Sequence, residues 1–420
     1  MSKHGRAMLQ RLWTSRLKQF GPGLLVAAAF IGPGTVTTAS VAGAETGYAL
    51  LWALVFSIFA TLVLQEMSAR LGIVARLGLG DALRRSFDTP VLRWAVIALV
   101  VVAIGLGTAA FETGNITGAA LGLETVVGLS TRVWALIVGG AALALLATGH
   151  YKLIERVLVA LVLTMSVVFI LTAIIVRPDI GAILAGIFAP GLPQGSVLTL
   201  IALVGTTVVT YNFFLHSAAV QDKWPREIPT ERALRESRVD SGLSIALGGL
   251  ITLAIVITAA AAFFTSQTTI EDAGQMAAQL EPLLGPAAKW FFAIGLFAAG
   301  MTSSVTAPLA AAYALTGALG SKPNLTSNRF RAIWASIILI GMAFAWFGTE
   351  PVRAIVIAQA ANGILLPLIA IFLLVVMNRR DLLGEYRNGL VGNLLGAFVV
   401  VVATGLGLYT LLSVFGVVPS

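Results

Sequence analysis

The 420-residue chain has no cysteine, only three histidines, and charge on just 11% of its residues. Lack of cysteine removes disulfides, thiol nucleophiles and thiolate metal sites. A water-exposed surface needs roughly 25–35% charged residues, so composition excludes an ordinary cytosolic enzyme, a nucleic-acid-binding protein and a disordered chain. No Pro/Ser-rich linker or low-complexity tract divides the sequence. Outside its apolar runs there is no nucleophile–base pair, metal-ligand cluster or nucleotide-binding loop, so neither catalysis nor a cofactor is expected. A cleavable signal is not expected either, because the first apolar run begins near Gly21 and outlasts a signal-peptide core.

What is present is apolar surface: 58% of residues are AVILMFWYC. Long apolar runs occupy 21–46, 47–71, 92–121, 132–149, 153–176, 197–221, 241–266, 286–319, 330–348, 353–377 and 389–415. Each is about long enough as a helix to cross ~30 Å of hydrocarbon, which predicts an all-α polytopic membrane protein with eleven spans. The segment before Phe20 carries Lys3, Arg6, Arg11, Arg16 and Lys18 and no acid, so the positive-inside rule puts it in the cytoplasm. With loops alternating from there, only Arg132, Arg177, Lys289 and Arg353 of the 27 Lys and Arg fall outside. The loop holding Glu271, Asp272 and Glu281 has no base and lies outside as well. The net charge of +8 therefore reports topology. It implies the inner membrane of a bacterium, a cytoplasmic N-terminus, an external C-terminus, and anionic lipid rather than nucleic acid as the partner of the basic loops. Asp222 to Asp240 balances five bases against five acids and is expected as a short amphipathic helix on the cytoplasmic face, or a plain surface loop.

Two spans are interrupted. The first reads Gly21-Pro22-Gly23, an apolar stretch, then Gly32-Pro33-Gly34-Thr35 before helix resumes. Proline lacks the amide donor and glycine weakens a helix, so a break there leaves backbone groups unpaired at mid-membrane depth. Such groups survive only beside a cavity or other protein. The sixth span sets Thr206, Thr207, Thr210, Tyr211, Asn212 and His216 in an otherwise apolar helix, costly unless they face an interior site. If the spans divide five plus five plus one, these two occupy corresponding places in two halves, the pattern of an inverted-repeat transporter with a midplane site.

Gly32-Pro33-Gly34-Thr35, the run from Ala42 to Trp52 and the run from Leu215 to Gln221 resemble the Nramp (natural resistance-associated macrophage protein) family of divalent-metal transporters. The likeness continues through Gln65 to Gly72, Ala298 to Thr306, and Ala358-Gln359 with Pro367. It implies a LeuT-like fold of the APC superfamily with two inverted five-helix repeats and one extra helix. The chain then divides into a basic cytoplasmic segment 1–20, repeats 21–176 and 177–377, and a cytoplasmic loop with the eleventh helix in 378–420. Departures fall where the chemistry belongs. The family's first-helix signature is Asp-Pro-Gly-Asn, and Gly32 and Thr35 stand at its two metal-binding positions. Its sixth-helix Met-Pro-His aligns with Val209, Thr210 and Tyr211, and its third-helix pair of acids aligns with Ala109 and Glu112.

A dehydrated divalent ion in low dielectric needs compensating carboxylates, and soft sulfur is what favours manganese or iron. Neither break offers either group. Two transport readings stand, with metal identity open. A hard or hydrated cation is held by hydroxyls, amides and carbonyls of Gly32, Gly34, Thr35, Val209, Thr210, Tyr211, Asn212 and Gln359; or a neutral site with exposed helix ends takes a small organic or zwitterionic solute. A sensor that no longer transports is a third.

Glu112 is the intramembrane carboxylate, on one face with Thr108 and Asn115, and is expected to carry protons or ligate a cation. Asn115, Gly114 and Gly118 are expected to serve packing. His216 is expected to relay protons or to be a structural imidazole. Gln359 and Asn362 complete a polar cavity or bond between helices. Thr302, Ser303, Ser304 and Thr306 hold an ion or bond their own backbone. Glu45 reads as solvated. No oligomer is indicated, and a monomer is expected.

Overall fold

The computed structural model describes residues 31–148, 152–321, 327–348 and 350–418. Among these, regular structure is entirely helical. The longer elements are α1 (Pro33–Thr46), α2 (Leu51–Val74), α3 (Leu79–Ser86), α4 (Pro90–Val127), α5 (Thr131–Thr148), α6 (Lys152–Ile175), α7 (Ile180–Phe188), α8 (Val197–Thr207), α9 (Thr210–Lys223), α10 (Thr230–Ala259), α11 (Ala288–Ala318), α12 (Asn328–Phe347), α13 (Pro351–Met377) and α14 (Leu390–Val414). Ten stretches of the described residues are long and apolar enough to cross a membrane, with α8 and α9 together forming one. The protein is a multi-pass membrane protein. Of the expected first span, α1 is the described part; the basic segment before Phe20 and both His4 and His150 lie outside the described residues.

One expectation fails at Asp222–Asp240. There is no separate surface helix, because helix begins at Thr230 and runs unbroken to Ala259, followed by a π-helical turn over Ala260–Phe264. Pro229 sets the start, and no proline follows to stop it. Ala233, Leu234, Ser237 and Asp240 are buried, so from Thr230 the charged stretch is the first part of a spanning helix with one face packed.

Helices cross closely where side chains vanish. α8 meets α13 at Gly205, where an added Cβ would lie 2.0 Å from the Gln359 carbonyl oxygen. Among the described residues the most extensive helix–helix contact joins α4 to α11.

The two ends of the bundle are fastened differently. At one, Arg70 of α2 donates to Glu66 (3.1 Å), the Asn388 side chain (2.7 Å) and the Tyr386 carbonyl (3.0 Å). Arg238 of α10 donates to the other Glu66 oxygen through Nε and Nη2 at 3.1 and 3.0 Å. Arg379 donates to the Ser86 carbonyl (2.9 Å), so the basic loops after α2, α9 and α13 gather there. At the other end the loop between α10 and α11 sends Gln279 inward. Its Nε2 donates to Ser40 Oγ of α1 (2.9 Å), and its Oε1 accepts from Thr258 of α10 (3.1 Å). Glu45 accepts a hydrogen bond from Thr199 of α8 (2.8 Å), tying α1 to α8 near the same end.

Candidate functional site

The break between α8 and α9 falls at Val208 (φ −97°, ψ 79°) and Val209 (φ −82°, ψ 110°). Thr206-Thr207-Val208-Val209-Thr210 is a run of five β-branched residues, whose restricted χ1 lowers helix propensity and suits extended backbone. The groups freed by the break have a dedicated partner. Asn362 of α13 donates from Nδ2 to the carbonyls of Gly205 and Val208 (3.1 Å for the latter), and its Oδ1 accepts from the Thr210 hydroxyl (2.7 Å) and amide (3.4 Å). One side chain on a continuous helix thus fixes the end of α8 to the start of α9. This is the satisfaction that exposed backbone requires away from water.

The other break is at Gly32, the extended residue ahead of α1 (φ −88°, ψ 173°), with Pro33 at the first helical position. Thr35, one turn in, shares a 2.9 Å hydrogen bond with Thr206 across to α8. Gly34 faces Gln359: a Cβ there would lie 2.2 Å from Gln359 Nε2, so any side chain at 34 would have to displace the Gln359 amide. A Cβ added at Gly118 would lie 2.3 Å from Pro33 Cβ, so the bare glycine makes room for the proline ring.

Around these breaks sits a set of buried polar groups with unmet bonding capacity. Both side-chain atoms of Gln359 and of Asn212 lack hydrogen bonds, as do Glu112 Oε1, Asn115 Oδ1 and the hydroxyls of Ser303 and Ser304. Asn115 donates to Glu112 Oε2 (3.1 Å). Its Oδ1 lies 3.9 Å, and Ser303 Oγ 3.0 Å, from the position a Gly32 Cβ would take. Gly32, Gly34, Thr35, Thr206, Thr210, Gln359, Asn362, Glu112, Asn115 and Ser303 therefore converge in one region. Ser303, read from the sequence as an ion holder or a backbone-bonded hydroxyl, and Asn115, read as packing, both face Gly32, a neighbour on another helix that the sequence did not disclose.

Other candidates have different surroundings. Val209 and Tyr211 join an apolar cluster with Phe111, Ala307 and Ala310, the Tyr211 ring edge-on to Phe111 at 5.3 Å between centroids. His216 is buried, Nε2 3.3 Å from Ser241 Oγ and Nδ1 without a partner. Thr302 and Thr306 donate to the carbonyls four residues back. Among the described residues no group of three or more His, Cys, Asp or Glu is placed to hold a metal ion.

Residues 23–413 match the family model described as natural resistance-associated macrophage protein-like. The chain belongs to the Nramp family. Relatives of this Nramp protein include proteins named divalent metal cation transporter MntH. The one from Yersinia pestis (strain Pestoides F) is 30% identical over 404 residues, covering 95% of each chain. The one from Pectobacterium carotovorum (strain PC1) is 30% identical over 94% of each. Among solved structures, a manganese transporter from Eremococcus coleocola superposes with a TM-score of 0.76 at 21% identity, over 97% of this chain and 90% of that one. Mhp1, a nucleobase-cation-symport-1 family transporter, gives 0.57 at 16% identity over 94% and 91%. The fold of this Nramp protein is LeuT-like.

Proposed function

We propose that this Nramp protein is a secondary transporter that carries a hard or still-hydrated divalent cation across the bacterial inner membrane by alternating access. The observation that carries the reading is the convergence of buried oxygen and amide groups with unmet bonding capacity on two interrupted helices, with Glu112 as the one carboxylate among them. Neutral oxygens suit an ion that keeps part of its water shell, because hydroxyls and amides bond to coordinated water without neutralising two full charges. Manganese and iron lose their preference where no sulfur is present. The relatives' names point to divalent metals as the class and give the organic-solute reading no support. Gly32, Gly34, Thr35, Thr210, Asn212 and Gln359 line the path of the ion; Val209 and Tyr211 back it from the apolar side. Glu112 handles the cation whose entry drives transport, a proton in the simplest form, and His216 lies on its route toward the cytoplasm. The basic end of the bundle faces the cytoplasm, the two repeats 21–176 and 177–377 move against each other, and the protein works as a monomer.

Uptake into proteoliposomes tests this. Saturable magnesium entry that equals or exceeds manganese entry, and that is lost in Glu112→Gln, is the expected result. Folded protein that admits neither metal overturns the reading.

A further inference from the structure

Whatever its cargo, we propose that the protein binds the phosphate group of an anionic phospholipid in a pocket between α2 and α10. The pocket has a volume of about 10 Å³ and is lined by Glu66 and Arg70 of α2 and by Leu234, Ser237, Arg238 and Ser241 of α10. That is room for a group of about water's size, such as a single phosphate oxygen.

Donors without acceptors mark the pocket as a place for an anion. Arg70 spends Nη1 on the Tyr386 carbonyl and Nη2 on Glu66 and Asn388, while its buried Nε has no partner. The Ser237 hydroxyl is buried and has no partner either, although a serine in a helix ordinarily bonds a carbonyl of the turn before it. Ser241, one turn on, is engaged with His216. Both Glu66 oxygens already accept from arginine, one from Arg70 and the other from Arg238. An orphaned guanidinium N–H and an orphaned hydroxyl on residues lining one small pocket are costly away from water, and an oxyanion answers both.

Charge points to the same occupant. Arg70 and Arg238 set against Glu66 leave one positive charge at the pocket. The other acids at this end of α10 have partners of their own: Asp240 pairs with Lys223 at 3.5 Å, Glu236 accepts from Trp224 and Arg232, and Glu231 accepts from Tyr386. A phosphodiester carries one negative charge, and an assembly with no net charge costs least to hold where water is scarce. Arginine is also the side chain whose planar set of donors matches phosphate.

Depth favours a lipid over a phosphate from solution. Leu51 to Gln65 of α2 contains no charged residue, and from Val239 to Ala259 the one charged residue of α10 is the buried Asp240. Glu66 and Arg238 are therefore the first charges with access to water on leaving the apolar parts of two adjacent helices, the level at which lipid phosphates sit. From Arg238 the surface of α10 continues as a stripe of exposed Val239, Leu243, Leu247 and Leu250, along which an acyl chain lies.

The test uses the purified full chain, stripped of lipid in detergent, and follows its thermal unfolding midpoint as phosphatidylglycerol, phosphatidylcholine or inorganic phosphate is added at constant ionic strength. The midpoint is expected to rise saturably with phosphatidylglycerol, as a ligand of the folded state requires, and little with the other two. Ser237→Ala removes a hydroxyl that bonds nothing in the protein. This variant and, separately, Arg238→Ala are expected to raise the half-saturating phosphatidylglycerol at least about tenfold, the worth of one hydrogen bond to a charged group. Arg235→Ala, exposed in the preceding turn of α10, is expected to leave it unchanged. Equal midpoints with all three additives overturn the proposal, as does a phosphatidylglycerol response that Ser237→Ala leaves unaltered or that phosphatidylcholine matches. Equal weakening by Arg235→Ala and Arg238→Ala overturns it in favour of diffuse attraction to the basic surface. A response to inorganic phosphate that depends on Ser237, with none to phosphatidylglycerol, overturns the lipid and makes the ligand a free anion. No transport is measured, so this result and that of metal uptake stand or fall separately.

Discussion

Asn362 and Thr210 are joined twice: the asparagine Oδ1 accepts both the hydroxyl and the backbone amide of the residue that starts α9. The same side chain donates to two carbonyls at the end of α8. Asn362→Ala frees all four partners at once. An unsatisfied buried group costs about 1–3 kcal/mol, so a loss of several kcal/mol in detergent unfolding is expected, with transport nearly abolished. Asn362→Asp keeps the acceptor and loses the donors, and should fall between wild type and alanine in both measurements.

Gly34 and Gln359 give a cycle whose outcome is specific to their contact. Gly34→Ala puts a methyl group into the Gln359 amide and should lower transport at least about tenfold and unfold the protein more easily. Gln359→Ala opens that space. The double variant is expected to be more stable than Gly34→Ala alone, a coupling of about 1–2 kcal/mol that additive effects would not produce.

The charge cluster at the basic end predicts unequal losses from two arginines. The Arg70 side chain is 12% exposed and serves three partners, so Arg70→Ala should cost about 2–3 kcal/mol of stability. The Arg238 side chain is 58% exposed and meets Glu66 in a surface ion pair, so Arg238→Ala should cost under about 1 kcal/mol, less at high salt. Because Glu66 links α2 to α10, the same variant should change transport rate more than stability. Parallel unfolding and uptake assays separate the two.

Outside the membrane, burial pushes the Asp81 carboxyl above its ordinary value, while Arg85 and Arg84 pull it back. An acid whose folded value is raised destabilises the fold once pH passes that value. Asp81→Asn should therefore raise the unfolding midpoint at pH 7 to 8, and the gain should shrink as pH falls toward 4, where the wild-type side chain takes up its proton. A gain that persists unchanged at pH 4 would contradict this.

How much of this was written in the sequence depends on the range of the interaction. The first break was legible because Gly32-Pro33-Gly34 breaks a helix by local chemistry. The second has neither residue type; its signal was the five β-branched positions from Thr206 to Thr210, and the polarity of those threonines drew attention away from their shape. Asp222–Asp240 misled because its charges read as surface, whereas a helix can bury Leu234 and Asp240 on one face and leave Arg232 and Arg238 on another. The work of Asn362 was not legible at all, since its partners lie more than 150 positions away. Ser303 stood between two readings, an ion holder and a hydroxyl bonded to its own backbone, and only Gly32 on a neighbouring helix shows what it faces.

The length of α4 carries a consequence of its own. From Trp94 to Leu123 it runs thirty residues with Glu112 as the single charge, a rod of about 45 Å against ~30 Å of hydrocarbon. Such a mismatch is met by leaning the rod or by thickening the lipid around it. Since Glu112 and Asn115 ride on this rod, acyl-chain length becomes a variable of the machine: thicker bilayers stand α4 upright and carry both residues with it, so the lipid surrounding the protein helps to set how its centre meets an ion.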